Sequence, residues 1–222
     1  MAYHDAAWSA VLADHEIMAA LQHGSLRIEP FNPDLVRPAS IGLRLGVTAY
    51  TLESDGPVDT AHESSYPRWQ PRALDDYGRL VILPDEVVLA PTLERLVVPD
   101  TMVGVLDGTS EVARLGLSMV LAQQVAPGFG APHGAVLTLE IVSHLHSPVY
   151  LWPGTRLCNL MLLRCGRPVR GYSDMPYNHS DDLDASASRL ARHINTVESP
   201  TVFETSEMAA LNGSGRGAPR RW

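Results

Sequence analysis

The chain has 222 residues, 45% hydrophobic and 19% charged, a balance that describes a globular protein with one substantial core. A formal net charge of −8 excludes a broad phosphate-backbone surface, so no nucleic-acid partner is expected. No apolar run approaches the roughly 20 residues that span a bilayer, and no basic segment leads into an apolar one at the start, so a cytoplasmic protein with no membrane partner is expected.

All 17 basic residues are arginine, which removes Schiff-base chemistry and a Walker-type phosphate loop from consideration. Cys158 and Cys165 are too few for a disulfide framework, and both are expected as buried, inert thiols.

Along the chain, Asp14 is placed to cap a helix running to about Gln22, with Ile17, Met18 and Leu21 on one face and Gly24 ending it. The signals then become β. Short apolar or alternating runs recur at residues 41–47, 80–83, 87–90, 96–98, 117–121, 136–142, 149–152 and 157–163. Pro84, Pro91, Pro99, Pro127, Pro148 and Pro153-Gly154 punctuate them, the pattern of a mainly β sandwich or jelly roll with a few short helices. Residues 53–76 are polar and proline-bearing and read as a long loop or insertion, with Trp69 packed against the body. We expect a β domain over residues 12–180, an N-terminal extension over 1–11, and a C-terminal arm and flexible tail over 181–222.

Within the body, an apolar run at 103–106 leads to Gly108, which permits a turn, and to Ser110, which can cap a short helix. Ser110 and Arg114 lie four residues apart and face the same way, and free N–H groups at a helix start favour an anion. The plainer reading is a capped helix with Arg114 in a structural ion pair. In the run Val136-Leu137-Thr138-Leu139-Glu140-Ile141-Val142, alternation puts Leu137, Leu139 and Ile141 on one face and Glu140 on the other. If that other face is solvent, Glu140 is a surface carboxylate. In a subunit cleft, a carboxyl desolvated by apolar neighbours can exchange protons near neutrality, as a general acid/base must.

The segment Gly108-Thr109-Ser110-Glu111-Val112-Ala113-Arg114-Leu115-Gly116 resembles the Gly-(Arg/Lys)-Ser-Ser-x-(Ala/Gly)-Arg-Leu-Gly motif of the dCTP deaminase branch of the trimeric dUTPase superfamily. Other stretches resemble that family in order. Leu26-Arg27-Ile28-Glu29-Pro30 through Arg37-Pro38-Ala39-Ser40-Ile41-Gly42-Leu43-Arg44-Leu45-Gly46 is similar to its N-terminal pattern, and Thr92-Leu93-Glu94-Arg95 through Pro99-Asp100 to its T-L-E-R-x-x-L-P-D. Pro153-Gly154-Thr155-Arg156-Leu157-Cys158-Asn159-Leu160 is similar to its P-G-M-x-I-G-Q-L, so the resemblance covers about residues 12–178.

This resemblance implies a distorted jelly-roll or β-barrel subunit of the dUTPase-like type, a homotrimer with sites between subunits, and a pyrimidine deoxynucleotide as ligand. It implies conversion of dCTP to dUTP and ammonia with no catalytic metal and no cofactor for the chemistry, with Mg2+ expected only on the nucleotide phosphates. Glu140 then matches the general acid/base, while Ser110 and Arg114 match residues that orient water and stabilise charge. Thr109, Ser110, Glu111, Arg114, Asn159 and Tyr177 are the expected nucleotide-binding positions.

The sequence also departs from the pattern. Thr109 replaces a cation, Glu111 places a carboxylate where the family handles phosphate, Gly42 stands for Asp, and Ala126 stands for Asp before Pro-Gly. The stretch 117–127 is one residue short, and 128–134 is long. Thr109 and Glu111 are therefore expected to weaken selection for a triphosphate, the glutamate by repulsion. His144 and His146 read as incidental rather than as metal ligands, the zinc-deaminase H-x-E and C-x-x-C are absent, and Gly128-x-Gly130 lacks the context of a dinucleotide fingerprint. The first functional expectation is deamination of a cytosine deoxynucleotide. The alternatives are a non-catalytic trimeric nucleotide-binding or assembly protein and, less favoured because of Ala126, a dUTP diphosphatase.

Overall fold

The computed structural model describes residues 10–119 and 121–169. Residues 1–9, Tyr177 and the expected C-terminal arm and tail at 181–222 lie outside them. Among the described residues the chain divides into two compact units, the larger holding those up to residue 53 and from residue 67 onward and the smaller holding 54–66.

In the larger unit, helix α1 (Asp14–Gln22) buries Ile17 and Ala20. Its cap is Ala13 rather than the expected Asp14: Ala13 is extended, and its N–H donates to the Glu16 carboxylate at 2.9 Å. A carboxylate three residues into the helix thus replaces the capping side chain. Gly24 ends the turn with φ +71, as expected.

The strands are β1 (Arg27–Glu29), β2 (Val36–Arg37), β3 (Ser40–Arg44), β4 (Tyr50–Glu53), β5 (Arg68–Pro71), β6 (Leu80–Ile82) and β7 (Val87–Val97), followed by β8 (Met102–Gly108), β9 (Leu117–Ser118), β10 (Gln124–Val125), β11 (Ala135–Ser143), β12 (Val149–Leu151) and β13 (Arg156–Arg164). One sheet runs β5-β4-β7-β11-β9 with β1 also on β7, a second runs β10-β8-β13-β3-β2, and β12 pairs with β6. The fold is mainly β, as expected, and among the described residues its sheets stay open instead of closing into a barrel. Leu43, Leu96, Leu106, Leu139 and Leu160, drawn from both large sheets, belong to one buried cluster. Truncating such a leucine to alanine typically costs about 2–5 kcal/mol.

Two expectations are corrected here. Pro91 does not separate two strands but lies inside β7, opposite Thr138, where the β7–β11 register shifts between Val136 and Thr138. A proline cannot donate to a ladder and is tolerated at such a bulge. The intervening residue Leu137 donates its N–H to Thr92 Oγ1 at 3.0 Å, so the skipped residue keeps a partner. Residues 53–76 are not one long loop, because Arg68–Pro71 forms β5 against β4 with Trp69 opposite Leu52. Polar, proline-bearing composition hid a strand whose partner lies across an insertion.

In the smaller unit, residues 63–65 form a single 3-10 turn, the Tyr66 hydroxyl donates to the Thr60 carbonyl at 2.6 Å, and Ser65 accepts from the Asp59 N–H at 2.9 Å. Among the described residues no helix is long and apolar enough to cross a membrane.

Candidate functional site

The segment singled out by sequence follows β8, which lies between β10 and β13 in the second sheet. After Gly108 the chain enters helix α2 (Ser110–Ala113), capped by Thr109 rather than by Ser110. Thr109 is extended and buried, and its Oγ1 accepts from the Val112 N–H at 3.3 Å while its own N–H donates to the Leu157 carbonyl at 3.0 Å. The correction has a consequence. With position 109 turned into the fold as a cap, the Ser110 side chain is released to solvent, where it has no hydrogen-bond partner among the described residues.

Arg114 closes the helix and is exposed, with no side-chain hydrogen bond or ion pair among the described residues. The plainer reading of Arg114 as a structural ion-pair partner thus finds no partner there.

Glu111 is not a bare negative charge. Arg156, from the start of β13, donates through Nη2 to Glu111 Oε2 at 2.8 Å. The expected repulsion of anions by Glu111 is offset by this guanidinium. Sequence reading placed Arg156 at an unspecified position of its motif and assigned it nothing. The cause is local: the β3–β13 register shifts between Arg156 and Cys158, so Leu157 is an extra residue and the alternation changes phase. Both Leu157 and Cys158 face inward, and Arg156 shares a face with Asn159 and its cross-strand partner Gly42. Gly42 leaves room for this side chain, since a Cβ there would stand 2.5 Å from Arg156 Cδ and the arginine would have to shift.

Asn159 sits in a row across three strands, paired with Gly42 on β3 and Asp107 on β8. Its Oδ1 is buried without a hydrogen-bond partner among the described residues. An unsatisfied buried acceptor is costly, and it marks a position where a ligand or another chain can supply a donor.

Glu140 lies on the half-buried face of β11, with Leu139 and Ile141 turned into the core as alternation predicted. Its Oε2 accepts from the N–H groups of Leu121 and Ala122 at 3.1 and 3.2 Å. Its Oε1 has no partner among the described residues, which leaves one oxygen oriented and open. Within one chain Glu140 makes no hydrogen bond to Ser110 and no ion pair with Arg114 among the described residues. The three expected catalytic groups are presented, but not to one another.

Other candidates resolve simply. His144 lies past the end of β11 with Nε2 at 2.8 Å from Ser118 Oγ, and His146 is exposed. Among the described residues no group of three or more His, Cys, Asp or Glu side chains is placed to hold a metal ion. Cys158 is buried, as expected, and burial, then the charges of Glu94 and Asp107, push its thiol up to about 12. Cys165 is only half-buried, contrary to expectation, because it lies past the end of β13.

Comparison with known proteins places these residues in a family. A family model described as dCTP deaminase-like matches residues 11–165. The chain is 33% identical over 171 residues to "dCTP deaminase, dUMP-forming" of Mycolicibacterium gilvum, covering 72% of this chain and 83% of that protein. It is 31% identical over 158 residues to the protein of the same name from Aquifex aeolicus, covering 71% and 83%. Among solved structures it is similar to 2'-deoxycytidine 5'-triphosphate deaminase from Agrobacterium tumefaciens, with TM-score 0.53 and 25% identity. That match covers 71% of this chain and 48% of the other, so it spans about half the length of the solved chain.

Proposed function

We propose, from the premise that this chain belongs to the dCTP deaminase-like family, that it removes the 4-amino group of a cytosine deoxynucleotide, dCTP, by hydrolysis. The observation that carries the reading is the Glu140 carboxylate: one oxygen is fixed by two backbone donors and the other is open to a water. Such tethering holds a proton-transfer group in one orientation at no cost during reaction.

In the proposed reaction Glu140 takes a proton from water as its oxygen bonds to C4, and returns a proton to the leaving nitrogen as the C4–N bond breaks. Water plus dCTP becomes dUTP plus ammonia, and the carboxylate is regenerated. Ser110 holds the water by its free hydroxyl, and Arg114 stabilises the charge that develops on the base. These groups are not joined within one chain, so the site is assembled between subunits of a homotrimer, with Glu140 from one and Ser110 and Arg114 from another. A monomer by light scattering at micromolar concentration sinks that assembly.

A second reading has its own support. The relatives are named dUMP-forming, whereas the family resemblance read from the sequence implied dUTP as the product. Release of diphosphate after deamination would give dUMP. Incubation with dCTP, dCMP, deoxycytidine, CTP and dUTP, read by mass spectrometry, separates the cases. A uracil product from dCTP supports the deaminase, dUMP rather than dUTP adds diphosphate release, and silence on all five favours a binding or assembly protein. Glu140→Gln is expected to lower deamination about 10²- to 10⁴-fold with the assembly intact. Turnover within tenfold of the parent would remove Glu140 from the acid/base role.

A further inference from the structure

The cation beside Ser110 comes from another strand. Position 109 carries no charge and is buried as a cap, while the guanidinium of Arg156 is held against Glu111, the next residue after Ser110. Arg156 uses one donor group on Glu111 and has no other side-chain hydrogen bond among the described residues, although a guanidinium carries five N–H donors. Its neighbour across the strands, Arg44, is committed differently, to the buried Glu94 and to the Pro30 carbonyl. Arg156 is therefore the arginine of this pair that a ligand can recruit.

We propose that Arg156 is a specificity-determining residue that recognises the polyphosphate of the nucleotide, held by Glu111 before the nucleotide binds and given its path by Gly42. The inference rests on the reading of this corner as a deoxynucleotide site. Three features work together. The extra residue at Leu157 turns Arg156 onto the face of Gly42 and Asn159. The missing Cβ at Gly42 lets its chain cross there, since any larger residue would displace it. Glu111 is 73% exposed on its side chain and Arg156 21%, so the pair is of the weak, solvent-screened kind that a multiply charged phosphate can replace. A planar fork of donors also suits phosphate oxygens better than a point charge. Glu111 keeps the guanidinium extended until phosphate arrives and then competes with phosphate for it, so its charge costs more affinity than the alignment supplies.

The test is calorimetric binding of dCTP and of deoxycytidine to the full chain, with the ratio of the two dissociation constants as the readout. Arg156→Met is expected to reduce the preference for dCTP by about tenfold to a hundredfold, the usual effect of losing hydrogen bonds to a charged group. Gly42→Ala, which keeps the charge but blocks its path, is expected to act in the same direction. Glu111→Gln, at an exposed position where folding is not at stake, is expected to raise the preference, and the gain should shrink as salt rises. A ratio within twofold of the parent in all three overturns the proposal while leaving the deaminase reading intact. A parent chain that binds neither ligand and deaminates nothing overturns both.

Discussion

Arg44 and Arg156 are cross-strand partners on β3 and β13, and each is matched to a glutamate, yet the two pairs sit in different physics. Glu94 is 1% exposed and receives both the Arg44 guanidinium, at 2.6 Å, and the Arg44 backbone N–H, at 2.8 Å. Glu111 stands in water and receives a single guanidinium group. The same two residue types therefore make one pair that locks the strand into the core and another that can exchange partners. Burial decides which, because a desolvated carboxylate left alone has no water to replace its partner.

The contrast breaks most visibly at Glu94. Glu94→Ala is expected to lower the unfolding free energy by about 3–5 kcal/mol in urea titration, because it strands the Arg44 guanidinium. A loss below about 1 kcal/mol would show that the buried pair is no different from the exposed one.

The next effect appears at alkaline pH, through Cys158 near the same glutamate. Its thiol is raised above the ordinary value of 9.0 to about 12, first by burial. Below pH 9 both states hold the proton and the stability is complete. As pH rises from 9 toward 12 the unfolded thiol ionises while the folded one does not, so stability falls. Urea midpoints measured across that window should drop less in Cys158→Ala than in the parent, and equal drops would refute the linkage.

A smaller effect is expected at acid pH. The pKa of Glu16 is lowered from 4.5, first by the Ala13 N–H and then by the Arg164 guanidinium. Its contribution is present above the unfolded value and is lost as pH falls through the folded one. Glu16→Gln should therefore flatten the acid limb of the stability curve below about pH 4.5 while leaving its slope near neutrality unchanged.

The smallest effect belongs to the exposed pair. Glu111→Ala is expected to change stability by less than about 1 kcal/mol in the same urea titration, since exposed ion pairs contribute little. A loss as large as that at Glu94 would make Arg156–Glu111 a structural clamp and remove its freedom to exchange.

Legibility followed the range of the interaction. β11 was readable because strict alternation marks a strand with one buried face, and the structure shows that pattern from Ala135 to Ser143. β4 and β5 were not, because their apolar content is low and their pairing spans residues that carry no strand signal. Pro91 misled because its cost is set by the partner strand: opposite a bulge the missing N–H is not needed. In the site, Ser110, Arg114 and Glu140 were visible as residue types in an ordered pattern, but Ser110 was given the capping role that belongs to Thr109. Either hydroxyl can cap, and which one does depends on where Val112 anchors the helix in the core.

By itself the sequence determined a mainly β chain without lysine chemistry, the position of the motif between β8 and β9, and the residues that identify the family. These follow from composition, alternation and short-range spacing, which the chain carries wherever it folds. Only the tertiary structure decided that Arg156 neutralises Glu111, that Gly42 makes room for it, and that Asn159 has no partner for its buried oxygen among the described residues. The first two depend on one extra residue at Leu157, which turns Arg156 onto the face of Asn159, and a bulge is set by the register of two neighbouring strands rather than by the residue it moves.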